Sequence, residues 1–126
     1  MLLNNVLTVA LMAAAAYGAS PIVCNLKALS PAERTHHAAL SEKLRTAAID
    51  RRELPDGVAF RLSTTSMTLI ELADWVDAER RCCPFLDFRI TLERESGALQ
   101  LALTGREGVK EFLLADFAKV GVGTMH

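Results

Sequence analysis

From residue 86 to residue 103 the chain alternates in the way a half-buried strand pair alternates. Leu86, Phe88, Ile90 and Leu92 take turns with Asp87, Arg89, Thr91 and Glu93. Successive strand side chains point to opposite faces, so one face is apolar and the other meets water. Glu95, Ser96 and Gly97 turn the chain, and Leu99, Leu101 and Leu103 answer with Gln100 and Thr104 facing out. A parallel sheet would be apolar on both faces. The alternation therefore predicts an antiparallel sheet that needs cover on one side only.

The rest of the chain supplies a second hairpin and the cover. "AIDRREL" and "VAFRLS" flank Pro55–Asp56–Gly57, where proline presets a turn and glycine is expected to supply a positive φ. Val58, Phe60 and Leu62 form the inward face of that second segment. "SPAE" at residues 30–33 is a helix start, with Ser30 as N-cap, Pro31 at the first helical position and Glu33 closing a capping box. That helix is expected to run to about Ala47 on a stripe of Leu40, Leu44 and Ala47. A second helix is expected from about Ser66 to Arg81 or Cys82, with Leu69, Leu72, Ala73 and Val76 as its core stripe. Pro84 disfavours helical geometry at Cys83 and stops it. A third helix, capped by Thr104 and Glu107, buries Val109, Phe112, Leu113 and Phe117.

The order helix, hairpin, helix, hairpin, helix predicts a two-layer α+β fold. Its four-stranded antiparallel sheet, built of two hairpins, carries three helices packed on one face. With 126 residues there is room for one core, assigned to residues 30–120. Residues 19–29 are expected to be irregular and 121–126 a disordered tail. A formal net charge of -1 and an aromatic content of 6% argue against nucleic acid as a partner.

No charged side chain precedes Lys27. "VLTVALMAAAAYGAS" reads as an apolar export segment, with Ala16 and Gly18 at the -3 and -1 positions of a cleavage site. Residues 1–18 are thus expected to be a signal peptide, and the mature chain to be periplasmic or secreted. An uncleaved anchor, a mis-called start, a buried segment and a cytoplasmic chain are the alternatives. A stable membrane span is not expected, because Gly18 to Pro21 break an apolar run that needs roughly 20 residues.

The chemistry sits in "ERRCCPFLDF", residues 79–88. Cys82 and Cys83 are adjacent, and Cys24 is the third cysteine. Adjacent Cα atoms lie about 3.8 Å apart, short of the roughly 4.4–6.8 Å of a relaxed disulfide. A bond within the pair is therefore disfavoured. Thiol-redox catalysis is also disfavoured, since the pair ends a helix, where the dipole opposes a thiolate. A soft metal ion would supply the missing positive charge and deprotonate the thiols. On helical spacing Cys83 prolongs the core stripe and Cys82 lies on its flank, with Glu79 between them one turn earlier. Cys24 would complete a three-thiolate set. The competing readings are thiols that only pack and a disulfide from Cys24 to Cys82 or Cys83.

Other candidates are weaker. His36 and His37 read as partly packed and uninvolved, and Trp75 as core or as a lid beside Cys82. Arg51, Arg52, Arg80 and Arg81 read as solvated charges. No phosphate loop, nucleophile elbow or zincin motif is present.

"ERRCCPFLDFRITLE" followed by "LTGREGVKEFL" resembles a family of small bacterial domains with a Glu-x-x-Cys-Cys-Pro-Phe motif, here Glu79 to Phe85. Similar segments occur behind the DNA-binding domain of some MerR-type regulators. The resemblance covers about Glu53 to Leu114, and "IVCNLKAL" resembles the opening of stand-alone members, which links Cys24 to the same site. It implies a thiophilic ligand and no DNA binding, since no helix-turn-helix is present. The expectation is a small non-enzymatic protein that binds a soft metal ion, Zn(II), Cu(I) or Hg(II). Its ligands would be Cys82, Cys83 and Cys24, with Glu79 in support. A structural or protein-interaction domain and a thiol-redox protein are the alternatives.

Overall fold

The computed structural model describes residues 21–122. The export signal read over residues 1–18 and the chain end at 123–126 lie outside the described residues.

Helix α1 spans Pro31–Ala47. The Ser30 hydroxyl accepts from the Glu33 amide, and the Glu33 carboxylate accepts from the Ser30 amide. Both donors lack an intrahelical acceptor, so the box satisfies them at once. Strands β1 (Ala48–Leu54) and β2 (Gly57–Leu62) follow as the first hairpin. Gly57 is not among the glycines with positive φ. Its role is close approach: an added Cβ would stand 1.9 Å from the Leu103 carbonyl oxygen.

Helix α2 spans Leu69–Cys82 behind a second capping box, between Thr68 and Glu71. It starts later than Ser66 because the Ser66 and Met67 amides both bond to the Ser63 carbonyl, and Met67 is fully buried there. Strands β3 (Asp87–Leu92) and β4 (Leu99–Thr104) form the second hairpin. Helix α3 (Val109–Asp116) closes the fold. Its expected cap at Thr104 does not form. Thr104 stays in the sheet, opposite both Gly57 and Asp87, and the helix leaves from Gly108 at φ 95°.

The four strands lie in the order β1-β2-β4-β3, each pair antiparallel. The two central strands make the floor of the core. Val58, Phe60 and Leu62 stand opposite Leu103, Leu101 and Leu99, and all six are almost wholly buried. Burying one such side chain contributes about 1.5–3 kcal/mol. Leu44, Leu72, Trp75 and Leu113 cover this floor from the helices. The edge strands are less apolar than expected. Ile49 and Leu92 are each more than half exposed. On β1 the helix-side face is polar: Arg51 donates to the carbonyls of Phe117 and Ala118, and Glu53 pairs with Lys110. Arg51 thus serves as a C-terminal latch for α3, where carbonyls lack partners, and is not the solvated charge expected.

Candidate functional site

Helices α1 and α2 lie antiparallel, held by pairs along their length. Arg81 binds the Glu33 carboxylate and the Ala28 carbonyl, His36 meets Asp74, and Lys43 meets Glu71. The Arg81 guanidinium holds the Glu33 carboxyl down to about 2, with the Ser30 amide adding to the effect. Arg81 therefore ties two segments together, where a solvated charge was expected, and Arg80 pairs with Asp77.

Between these helices, at the end near Cys82, lies a largely buried polar cluster. The buried face of α2 carries Leu72, Trp75, Glu79 and Cys82, at spacings of three, four and three residues. This is one helical stripe, rotated from the expected one. Leu69 and Ala73 face solvent. Cys82 therefore continues the core stripe, and Cys83 is the C-cap at φ -124°, its amide bonded to the Glu79 carbonyl.

His37, expected to be uninvolved, is 6% exposed and bonds through Nε2 to Glu79 Oε1 at 2.7 Å. Glu79 is 8% exposed. The imidazole lies on Trp75 with ring centroids 5.8 Å apart, and the Trp75 indole donates to Ser41 Oγ at 3.0 Å. Cys82 Sγ lies 3.7 Å from the same Glu79 oxygen. Each of His37, Glu79 and Cys82 offers a ligand atom, and the three lie within 4.8 Å of one another. His37 Nδ1 is the one buried side-chain nitrogen or oxygen among the described residues with no hydrogen-bond partner.

The remaining cysteines are joined. Cys24 and Cys83 form a disulfide, with Cα atoms 4.5 Å apart, and Cys82 keeps its thiol. Of the four expected ligands, the fold gathers Glu79 and Cys82 with His37, and sets Cys83 and Cys24 beside them as a bonded pair. The sequence did carry a signal for His37. It shares a stripe with Leu40 and Leu44, and a buried histidine needs a polar partner, which the Glu79 stripe supplies.

Burial pushes the Cys82 thiol up to about 11, and the neighbouring Glu79 charge and hydrogen bond add to it. A protonated thiol at neutral pH is a poor nucleophile, which disfavours redox catalysis at Cys82. The folded chain holds this proton more tightly than a free thiol of 9.0 does. The associated stability is complete below about pH 9 and is lost as pH rises through about 11. Cys82 in the oxidised protein is therefore expected to react slowly with iodoacetamide at neutral pH, and markedly faster at pH 10–11. Fast alkylation at neutral pH would contradict this placement.

A cleft of about 660 Å³ opens over the cluster, lined by His37, Trp75, Glu79, Cys82, Cys83 and Asp116 among others. Asp116 reaches solvent at its rim, yet partial enclosure and the charge of Glu79 hold its carboxyl above the usual range. Three carboxylates, Glu42, Glu79 and Asp116, thus line one cavity with the Cys82 thiol, Arg34 and Arg45, and among the described residues Glu79 is paired with His37 and with no lysine or arginine. Among the described residues, no helix is long and apolar enough to cross a membrane. No protein-family profile, curated protein or solved structure matches the chain.

Proposed function

We propose that this protein binds a soft or borderline metal ion, of the Zn(II) class, through His37, Glu79 and Cys82. The observation that carries the reading is the buried cluster of three ligand types within 4.8 Å, facing a cleft and holding an unpartnered imidazole nitrogen. Imidazole, carboxylate and thiolate are the three side-chain donors that tetrahedral zinc accepts. A dication would reverse the local electrostatics. It would offset the burial and the Glu79 charge that together keep the Cys82 proton in place, and the thiol would bind as thiolate. Three protein ligands leave a fourth position toward the cleft. The resemblance to domains associated with MerR-type regulators fits a thiophilic ligand and assigns no residue its role.

Native mass spectrometry of the full chain with Zn(II), paired with competition against a chromophoric chelator, tests the reading. One bound ion is expected, lost in both Cys82→Ser and His37→Gln while the circular dichroism stays native. Unchanged stoichiometry in both variants would sink it. A second reading has its own observation. The Cys24–Cys83 bridge and the packed Cys82 thiol suit a small interaction domain stabilised by cysteine. On that reading Cys82→Ser lowers stability and leaves ion uptake at zero in the wild type as well.

A further inference from the structure

Cys24 and Cys83 lie outside the candidate ligand set only while they are bonded to each other. Cys83 Sγ is 3.7 Å from Cys82 Sγ. On a tetrahedral ion with metal–sulfur bonds of ~2.3 Å, two thiolates stand ~3.8 Å apart. The two sulfurs already have the spacing of ligands that share one ion. The Cys82 Sγ to Glu79 Oε1 distance, 3.7 Å, is close to the ~3.6 Å that mixed sulfur and oxygen ligands adopt on the same centre.

We infer that the Cys24–Cys83 disulfide is a redox switch that sets the ligand count, and hence the ion preference, of this site. The inference rests on the proposed ion binding. Oxidised, the protein offers one thiolate with His37 and Glu79, a mixed set suited to borderline dications. Reduced, it adds the Cys83 thiolate beside Cys82, and the set moves toward softer ions.

The redox step needs a reductant, and a small dithiol suffices. The dithiol transfers two electrons to the Cys24–Cys83 bond, gives its two protons to the released thiols, and closes its own disulfide. Ion binding then displaces one proton each from Cys82 and Cys83. Reoxidation by a small disulfide, which takes up the two electrons and two protons and leaves as two thiols, returns to the Cys24 bridge, because a bond between the adjacent Cys82 and Cys83 would be strained.

Opening the bridge does not free the N-terminal segment. The Asn25 amide donates to the Cys82 carbonyl at 2.7 Å, and Arg81 holds the Ala28 carbonyl at 3.0 Å. Leu29 is 2% exposed beneath them. These three ties keep the segment against the end of α2, so reduction changes the ligands and leaves the cleft in place.

Co(II), which gives a thiolate charge-transfer band, is the probe. The full chain is titrated with Co(II) alone, oxidised and then with a dithiol present, under circular dichroism control. Reduction is expected to raise the band about twofold as a second sulfur joins, and to tighten binding by about tenfold or more. In reductant, Cys83→Ser should return to the one-sulfur band, and Cys24→Ser should keep the two-sulfur band. Equal bands and affinities in both redox states would overturn the switch and leave the ion site standing. No Co(II) binding in either state would remove the ion site itself. Unfolding of the wild type on reduction would overturn the tether argument, and the switch with it.

Discussion

His37→Leu is expected to lower stability by about 3–5 kcal/mol, read as a fall in the urea midpoint at unchanged slope. Leucine has a similar volume and packs no worse against Trp75, so the loss is electrostatic. Glu79 is 8% exposed, and with its imidazole partner gone it would keep only the weak donor of the Cys82 thiol, 3.7 Å away. A buried carboxylate without a partner costs far more than one hydrogen bond. The double variant His37→Leu/Glu79→Leu should recover most of the loss, because a well-packed apolar pair often matches a buried ion pair in stability. The recovered part is the coupling energy of the cycle. A single-variant loss below about 1 kcal/mol, in the range of an exposed pair, would show that the cluster is wetter than its geometry states. Both variants should also fail to take up Zn(II), so stability and ion binding separate: the double variant is stable and does not bind.

What was legible in the sequence followed from periodicity and punctuation. The two central strands read correctly because each has one face of pure Val, Phe or Leu, and their partners bury the same face. The caps at Ser30 and the stop at Pro84 read correctly because their chemistry is local. At the site, the sequence and the structure differ where a polar residue is buried. The α2 stripe is rotated from the expected one because apolar periodicity does not include Glu79, and the buried stripe runs through it. The rotation brings Cys82 onto the buried stripe, so that Cys82 and Cys83 are both buried where Cys82 was expected on the flank. His37 reads as partly packed and uninvolved for the same reason, since its partner lies 42 residues away and only the packing of α1 on α2 joins them. Gly57 reads as a turn residue because its neighbour in the sheet, Leu103, is distant in sequence. The candidate site is thus a product of pairing between helices, and local signals could place its residues on faces without placing the faces against each other.

Cys24→Ser is expected to cost about 2–4 kcal/mol, and its signature distinguishes it from the loss at His37. The bridge joins residues 59 apart. In the chain-entropy account, a loop of that length restrains the unfolded chain by about 4 kcal/mol. The native state loses little, since Asn25, Arg81 and Leu29 still hold the segment. The effect therefore acts mainly on the unfolded ensemble, and the denaturant slope should rise as that ensemble expands. His37→Leu acts on the folded state and should leave the slope unchanged. Adding a dithiol to the wild type should reproduce the Cys24→Ser midpoint and slope, and adding it to Cys24→Ser should change neither. A wild-type midpoint indifferent to reductant would mean that the bridge is not closed in solution. A small domain's total stability is about 5–15 kcal/mol, so a loss of this size leaves a folded protein. That margin is what lets the same bond serve both as a staple and as a switch on the sulfur beside Cys82.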